Sequence, residues 1–274
     1  MLYISTKNKK QTYTAHQALL FEADIDGGVI APIRLPVFTK TELSDIFGRG
    51  LCGATVCILN KFFSKSLADK HIKDAFGFNV PVSDMLDRKT LLIRLDGCLQ
   101  EAEKMIYSQL SGECKAPTLW ASCAIRIGLL FGVFSELYRC GIHFADFAVE
   151  SNNVLSFVPV YYGKIMGLPV SKIITGTNNE DAIWRFLHKE QSSDGEQNAY
   201  FLHGIDCCMN GSDKIVSEIF SSVVSLDRAK EIIMTMQTTY QKVIDLSAAV
   251  SYGALQDYRA ITGENRTTVI FNSL

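Results

Sequence analysis

The chain has no run of lysine and arginine, and its 27 basic and 29 acidic residues leave a net charge of only −2 with a pI near 6.2. A protein that grips a phosphate backbone needs a basic face, so a nucleic-acid partner is not expected. The eight cysteines (52, 57, 98, 114, 123, 140, 207, 208) include no CxxC pair and no Cys/His ligand set. That spacing disfavours a zinc site, and free thiols are expected in place of a disulfide framework. MLYISTKNKK has no apolar core behind a basic start, so no signal peptide is read. The most apolar segment, 124–134, carries Arg126 and is too short to cross a bilayer, so no membrane partner is expected and a cytoplasmic location is.

What the chain does contain is hydrophobic residues, 47% of its 274 positions. This is enough for a sizeable core, expected as one large α/β domain with a smaller attachment.

The stretch 144–183 can be read as a complete supersecondary unit. Phe144 to Val149 is a mostly apolar run that suits a strand. Glu150, Ser151, Asn152 and Asn153 follow as a turn that caps a helix over 154–166. Gly167 and Pro169 stop that helix, 171–177 is the next strand, and Asn178 to Asp181 bring acceptors and negative charge to another helix start. Two strands joined by one helix imply a right-handed parallel crossover. In such sheets ligands sit where strands turn into helices, so 150–156 occupies a phosphate position.

Elsewhere the spacing predicts a strand at 2–5, a helix at 13–22 and a turn at Asp26-Gly27-Gly28. Short helices are expected at 40–47, 54–63 and 66–76, a loop at 81–86 and a strand at 90–95. An amphipathic helix over 96–110 and an interior helix over 125–137 follow. After a helix at 183–189 come a polar loop at 190–198, helices at 225–236 and 239–252, a turn at 263–266 and a buried strand at 267–271. His143 with Asp146, and His203 with Asp206, Cys207 and Cys208, group titratable side chains, but each group reads more simply as structural.

Residues 147–181 resemble the threonine synthase signature, matching at Tyr161, Tyr162, Lys164, Met166, Gly167, Leu168, Pro169, Lys172, Thr177, Asn178 and Asp181. The opening Met1 to Thr6, with Asp26, Gly27, Gly28 and Pro32, resembles the same family's N-terminal region. The resemblance implies a tryptophan-synthase-β-like fold in reduced form: an open, mostly parallel sheet flanked by helices (96–274), behind a small N-terminal α/β region (1–95). It also implies pyridoxal phosphate as cofactor and conversion of O-phosphohomoserine to threonine. Ser151, Asn152, Asn153 and Ser156 then fall on the phosphate loop.

Four departures weigh against that activity. The family's His-Gly-Pro-Thr-Leu-Ala-Phe-Lys-Asp segment, whose lysine holds the cofactor, would lie where this chain passes from Leu95 to Asp96. Ala116-Pro117-Thr118-Leu119-Trp120 echoes part of it, but Ser122 stands at the lysine position. The loop glycines are replaced by Asn152, Val154 and Leu155, which restrict positive φ. The family's turn Asn-Ser-Ile-Asn corresponds to Trp120–Cys123, and its Pro-containing tail has no counterpart after Asn272-Ser273-Leu274.

The expected function is a non-catalytic threonine synthase relative, with no residue assigned a catalytic role, whose partner is a small phosphorylated amino acid or a protein. The alternative is an active lyase using another lysine, such as Lys89 or Lys115, or a partner chain.

Overall fold

The computed structural model describes residues 1–22, 27–64, 67–76, 82–94, 99–179, 181–189, 196–207 and 216–272. Three short antiparallel strands, β1 (Leu2–Ser5), β2 (Thr12–Thr14) and β3 (Ile30–Pro32), form a small sheet in the order β2-β1-β3. Helix α1 (Ala15–Leu20) starts on a capping box, the Thr14 hydroxyl accepting from the Gln17 N–H while the Gln17 side chain accepts from the Thr14 N–H. Thr39 and Glu42 repeat the device on α2 (Lys40–Phe47). Helices α3 (Gly50–Phe63) and α4 (Asp69–Phe76) complete this region.

The main sheet has six strands: β4 (Val82–Asp87), β5 (Thr90–Arg94), β6 (Ala145–Glu150), β7 (Val170–Thr177), β8 (Ile219–Val223) and β9 (Thr268–Asn272). Their order is β4-β5-β9-β6-β7-β8, with every neighbouring pair parallel except the β4–β5 hairpin. The expected mostly parallel α/β sheet is present. The loop expected at 81–86 is instead edge strand β4, whose polar residues suit a sheet edge.

Helices cover both faces, which a parallel sheet requires. Alternate residues separate the two cores. Phe147, Val149, Ile173, Val269 and Phe271 point to one side, toward α6 (Leu119–Arg139) and α7 (Val154–Ile165). Ala148, Ile174 and Ile270 point to the other, toward α10 (Leu226–Thr239) and α11 (Leu246–Thr262). Helices α5 (Leu99–Ser111), α8 (Ala182–Leu187) and α9 (Glu196–Cys207) add buried residues to the core on the α6 and α7 side.

Helix α6 runs 21 residues, longer than the apolar core at 124–134 suggested, and is long and apolar enough to cross a bilayer. In the fold it is a core helix with 89% of its most apolar stretch buried. Trp120–Cys123, expected in a turn, form its first turns behind the Thr118 cap. The Trp120 ring lies against Tyr3, Phe62, Tyr162 and Tyr200, fastening the small sheet to α6, α7 and α9.

The helix expected at 239–252 begins later, at Leu246, because Asp245 caps it by accepting from the Ala248 N–H. Asp26, Leu95, Asp96, Cys98, Glu180, Cys208 and the loop residues 190–195 lie outside the described residues, as do Ser273 and Leu274.

Candidate functional site

The carboxyl ends of β6 and β7 lie side by side, with Glu150 opposite Gly176 in the parallel register. The four candidate residues Ser151, Asn152, Asn153 and Ser156 follow β6 directly and lead into α7. The structure brings two of them, Ser151 and Asn152, into one hydrogen-bonded group with the turn after β7.

Ser151 continues the ladder, its N–H donating to Gly176 O at 2.8 Å. Its hydroxyl reaches Asp181 Oδ2 at 2.6 Å. Asn152 spans the gap between the two turns. Its Oδ1 accepts from Thr177 Oγ1 at 2.9 Å and from the Asn178 N–H at 3.0 Å, while Nδ2 donates to Asn179 Oδ1 at 2.7 Å. Asn153 caps α7, with Oδ1 accepting from the Leu155 N–H at 2.9 Å. Its carbonyl takes the N–H groups of Ser156 and Phe157. Ser156 is buried one turn further along.

None of residues 151–156 has positive φ; among the described residues the non-glycine residues that do are Ser64, Lys189 and Gln241. A backbone nest that closes around a phosphate alternates right- and left-handed residues, and this loop does not. Val154 and Leu155 turn their side chains to the core.

Of the charges gathered here, the sequence pointed to Asp181 at a helix start but not to Glu150 and Asp245 beside it. Glu150 is half-buried, and burial raises its pKa against a Ser247 hydrogen bond, with Asp245 and Asp181 adding repulsion. Asp181 caps α8 by accepting from the Trp184 N–H at 2.8 Å, as Asp245 caps α11. Three carboxylates thus act at this end of the sheet. The nearby cation is Arg126 of α6, buried with its partner Glu103 of α5. Nε lies 2.6 Å from Glu103 Oε1 and Nη1 donates to Leu155 O at 3.3 Å. Ser122 donates to the other Glu103 oxygen. Burial raises the Glu103 pKa even with Arg126 beside it. An arginine inside an apolar helix implies a buried acid, but only packing identifies Glu103 as that acid.

The two lysines considered as substitutes do not suit Schiff-base chemistry at this loop. Lys89 precedes β5 at the amino end of the parallel strands, a strand length of roughly 16 Å from the carboxyl ends. Lys115 is exposed and paired with Glu113 at 2.7 Å, and this hydrogen bond raises its pKa, the wrong direction for a nucleophilic amine. Lys164 is buried, bonded to Glu218 and to the carbonyls of Val170 and Ser171. It sits ten residues along α7 from Val154, about 15 Å away. Lys242 is tied to Asp84 on edge strand β4, three strands or about 14 Å from β6.

The other clusters do not assemble as sites. His143 is exposed against the Tyr138 ring, while Asp146 is buried. His203 is buried with Nε2 on Pro32 O at 2.8 Å, and the side chains of Asp206, Cys207 and Cys208 lie outside the described residues. Among the described residues, no group of three His, Cys, Asp or Glu side chains could hold a metal ion.

Residues 2–76 match the family model described as the threonine synthase N terminus. No curated protein sequence matches the chain. Among solved structures, threonine synthase from Escherichia coli aligns with a TM-score of 0.75 at 12% identity, covering 100% of this chain and 88% of its own. The pyridoxal phosphate-bound threonine synthase from Brucella melitensis gives 0.78 at 14%, covering 99% and 88%. Threonine synthase from yeast gives 0.72 at 13%, covering 99% and 86%. At such identities the structural likeness is one of fold. The chain is therefore threonine synthase-like, with that family's N-terminal sequence pattern in residues 2–76 and that family's fold along its length.

Proposed function

We propose that this threonine synthase-like chain is a non-catalytic relative of the enzyme that converts O-phosphohomoserine to threonine, and that it uses the fold as a scaffold for a protein partner. The observation that carries the reading is the placement of its lysines. Pyridoxal phosphate chemistry needs a lysine amine at the cofactor carbonyl, made nucleophilic by a lowered pKa. Lys89 is at the wrong end of the sheet, and Lys115 is exposed with its pKa shifted the wrong way. Lys164, whose pKa burial lowers, has its amine committed to Glu218 and two carbonyls about 15 Å along α7 from the loop.

The residues present also do not fit the cofactor's phosphate. The loop side chains bond to one another, and no left-handed residue opens the backbone toward an anion. Of the partners expected from the sequence, a protein is thus favoured over a phosphorylated amino acid. Incubation with O-phosphohomoserine and pyridoxal phosphate should release no inorganic phosphate above a no-protein control. Multiple-turnover release that depends on the chain would overturn the reading.

A further inference from the structure

On the face of the sheet away from α7, helices α10 and α11 leave a half-open crevice of about 240 Å³ between them. This is below the roughly 300–1,000 Å³ of pockets that take drug-sized ligands, so it suits a single small head group. Its floor is apolar: Ile232 and Met236, one turn apart on α10, are buried members of the core on that side. Two tyrosines line it, Tyr240 just after α10 and Tyr252 on α11. Among the described residues neither ring packs against another aromatic ring. Burial, with Asp87 and Tyr240 nearby, pushes the Tyr252 phenol up to about 12, so at neutral pH it stays uncharged with its hydroxyl on Asp87 Oδ2 at 3.4 Å. The lining holds one residue of each charge. Arg228 is matched, held by both Asp257 oxygens at 2.8 and 2.9 Å and by Gly253 O. The Glu231 carboxylate has no hydrogen bond or ion pair among the described residues, which leaves the crevice with an unmatched negative charge.

We propose that this crevice binds a quaternary ammonium group, held between Tyr240 and Tyr252 over Ile232 and Met236, with Glu231 as its counter-charge. Aromatic rings attract a cation through the negative charge of their faces. A compact primary ammonium holds its water too strongly to exchange it for phenol rings and aliphatic carbon, whereas methyl groups on the nitrogen weaken that hydration. An anion would meet Glu231 and find the Arg228 guanidinium already taken by Asp257. The same group occurs free, as in choline, and on proteins, as trimethyl-lysine. The site shares no residue with 150–156 or 177–181, so it stands or falls apart from the non-catalytic reading.

Titration calorimetry on the full-length protein compares choline, a trimethyl-lysine peptide and the uncharged isostere of choline in which carbon replaces the nitrogen. The quaternary probes should bind saturably at millimolar concentration, and the uncharged isostere about tenfold more weakly than choline. Whichever quaternary probe binds more tightly names the source, a free metabolite or a protein side chain, and either order supports the site. Tyr240 and Glu231 are exposed, so replacing them leaves the fold intact, which circular dichroism checks. Tyr240→Leu should weaken binding about fivefold and Glu231→Gln about threefold, while Tyr240→Phe, which keeps the ring, should bind as the wild type does. The proposal is overturned if neither quaternary probe binds saturably, or if the uncharged isostere binds as well as choline. Binding that neither Tyr240→Leu nor Glu231→Gln alters lies elsewhere and overturns it too.

Discussion

Asp146 lies at the start of β6, where the register shifts between Ala145 and Phe147, and it is 1% exposed. Burial raises its pKa, partly offset by Arg266, the Lys172 backbone N–H and Lys164, while Glu264 adds to the rise. A carboxyl whose folded pKa exceeds its unfolded value stabilises the native state below the unfolded pKa. That contribution is lost as pH rises through the folded pKa. Asp146→Asn should therefore gain stability relative to wild type as pH climbs from about 4 toward neutrality. Urea midpoints at several pH values would measure it; an unchanged difference across that range would contradict the burial argument. Arg126→Met leaves Glu103 buried without its cation and should cost about 3–5 kcal/mol at neutral pH. Pairing it with Glu103→Leu should recover most of that loss, as a denaturation cycle would show. Asn152→Ala should cost about 1 kcal/mol, because it removes the acceptor of the half-buried Asn178 N–H. At this scale the sequence was least legible. Asn152 could be named as a loop residue, but which donors it meets depends on β7 lying next to β6.

Among the elements, those with their own punctuation were read well. Helix α7 has Asn153 before it and Gly167-Leu168-Pro169 after it, and α2 has its capping box, so their limits fall close to the expected ones. Pro159 inside α7 did not end the helix. Strand β4 was missed because VSDMLD carries too little apolar alternation, its partner being β5 on one side only. The start of α11 was misplaced because apolar residues run through 243–250, so only the Asp245 cap sets the boundary. Packing between elements was not legible at all. Gly176 of β7 lies so close to α11 that an added Cβ would stand 2.5 Å from Val250 O and 2.9 Å from its carbonyl carbon. Gly176→Ala should thus push α11 off the sheet and cost about 1–3 kcal/mol, seen as a lowered urea midpoint with the fold retained by circular dichroism. A neutral result would mean that the helix is free to shift.

For the whole molecule, the unit 144–183 was enough to identify a parallel crossover, and the sheet built around it has the expected architecture. The place of β9 between β5 and β6 was not foreseeable, because a buried apolar strand carries no label for its neighbours. The fold is that of the threonine synthase structures. The groups at its strand ends are bonded to one another, and the buried Lys164 amine is held by Glu218 and two carbonyls. The most direct measurement is the intact mass after incubation with one equivalent of pyridoxal phosphate and reduction with borohydride. The non-catalytic account predicts only traces of adduct scattered over exposed lysines. One cofactor per chain, mapped to a single lysine, would contradict it.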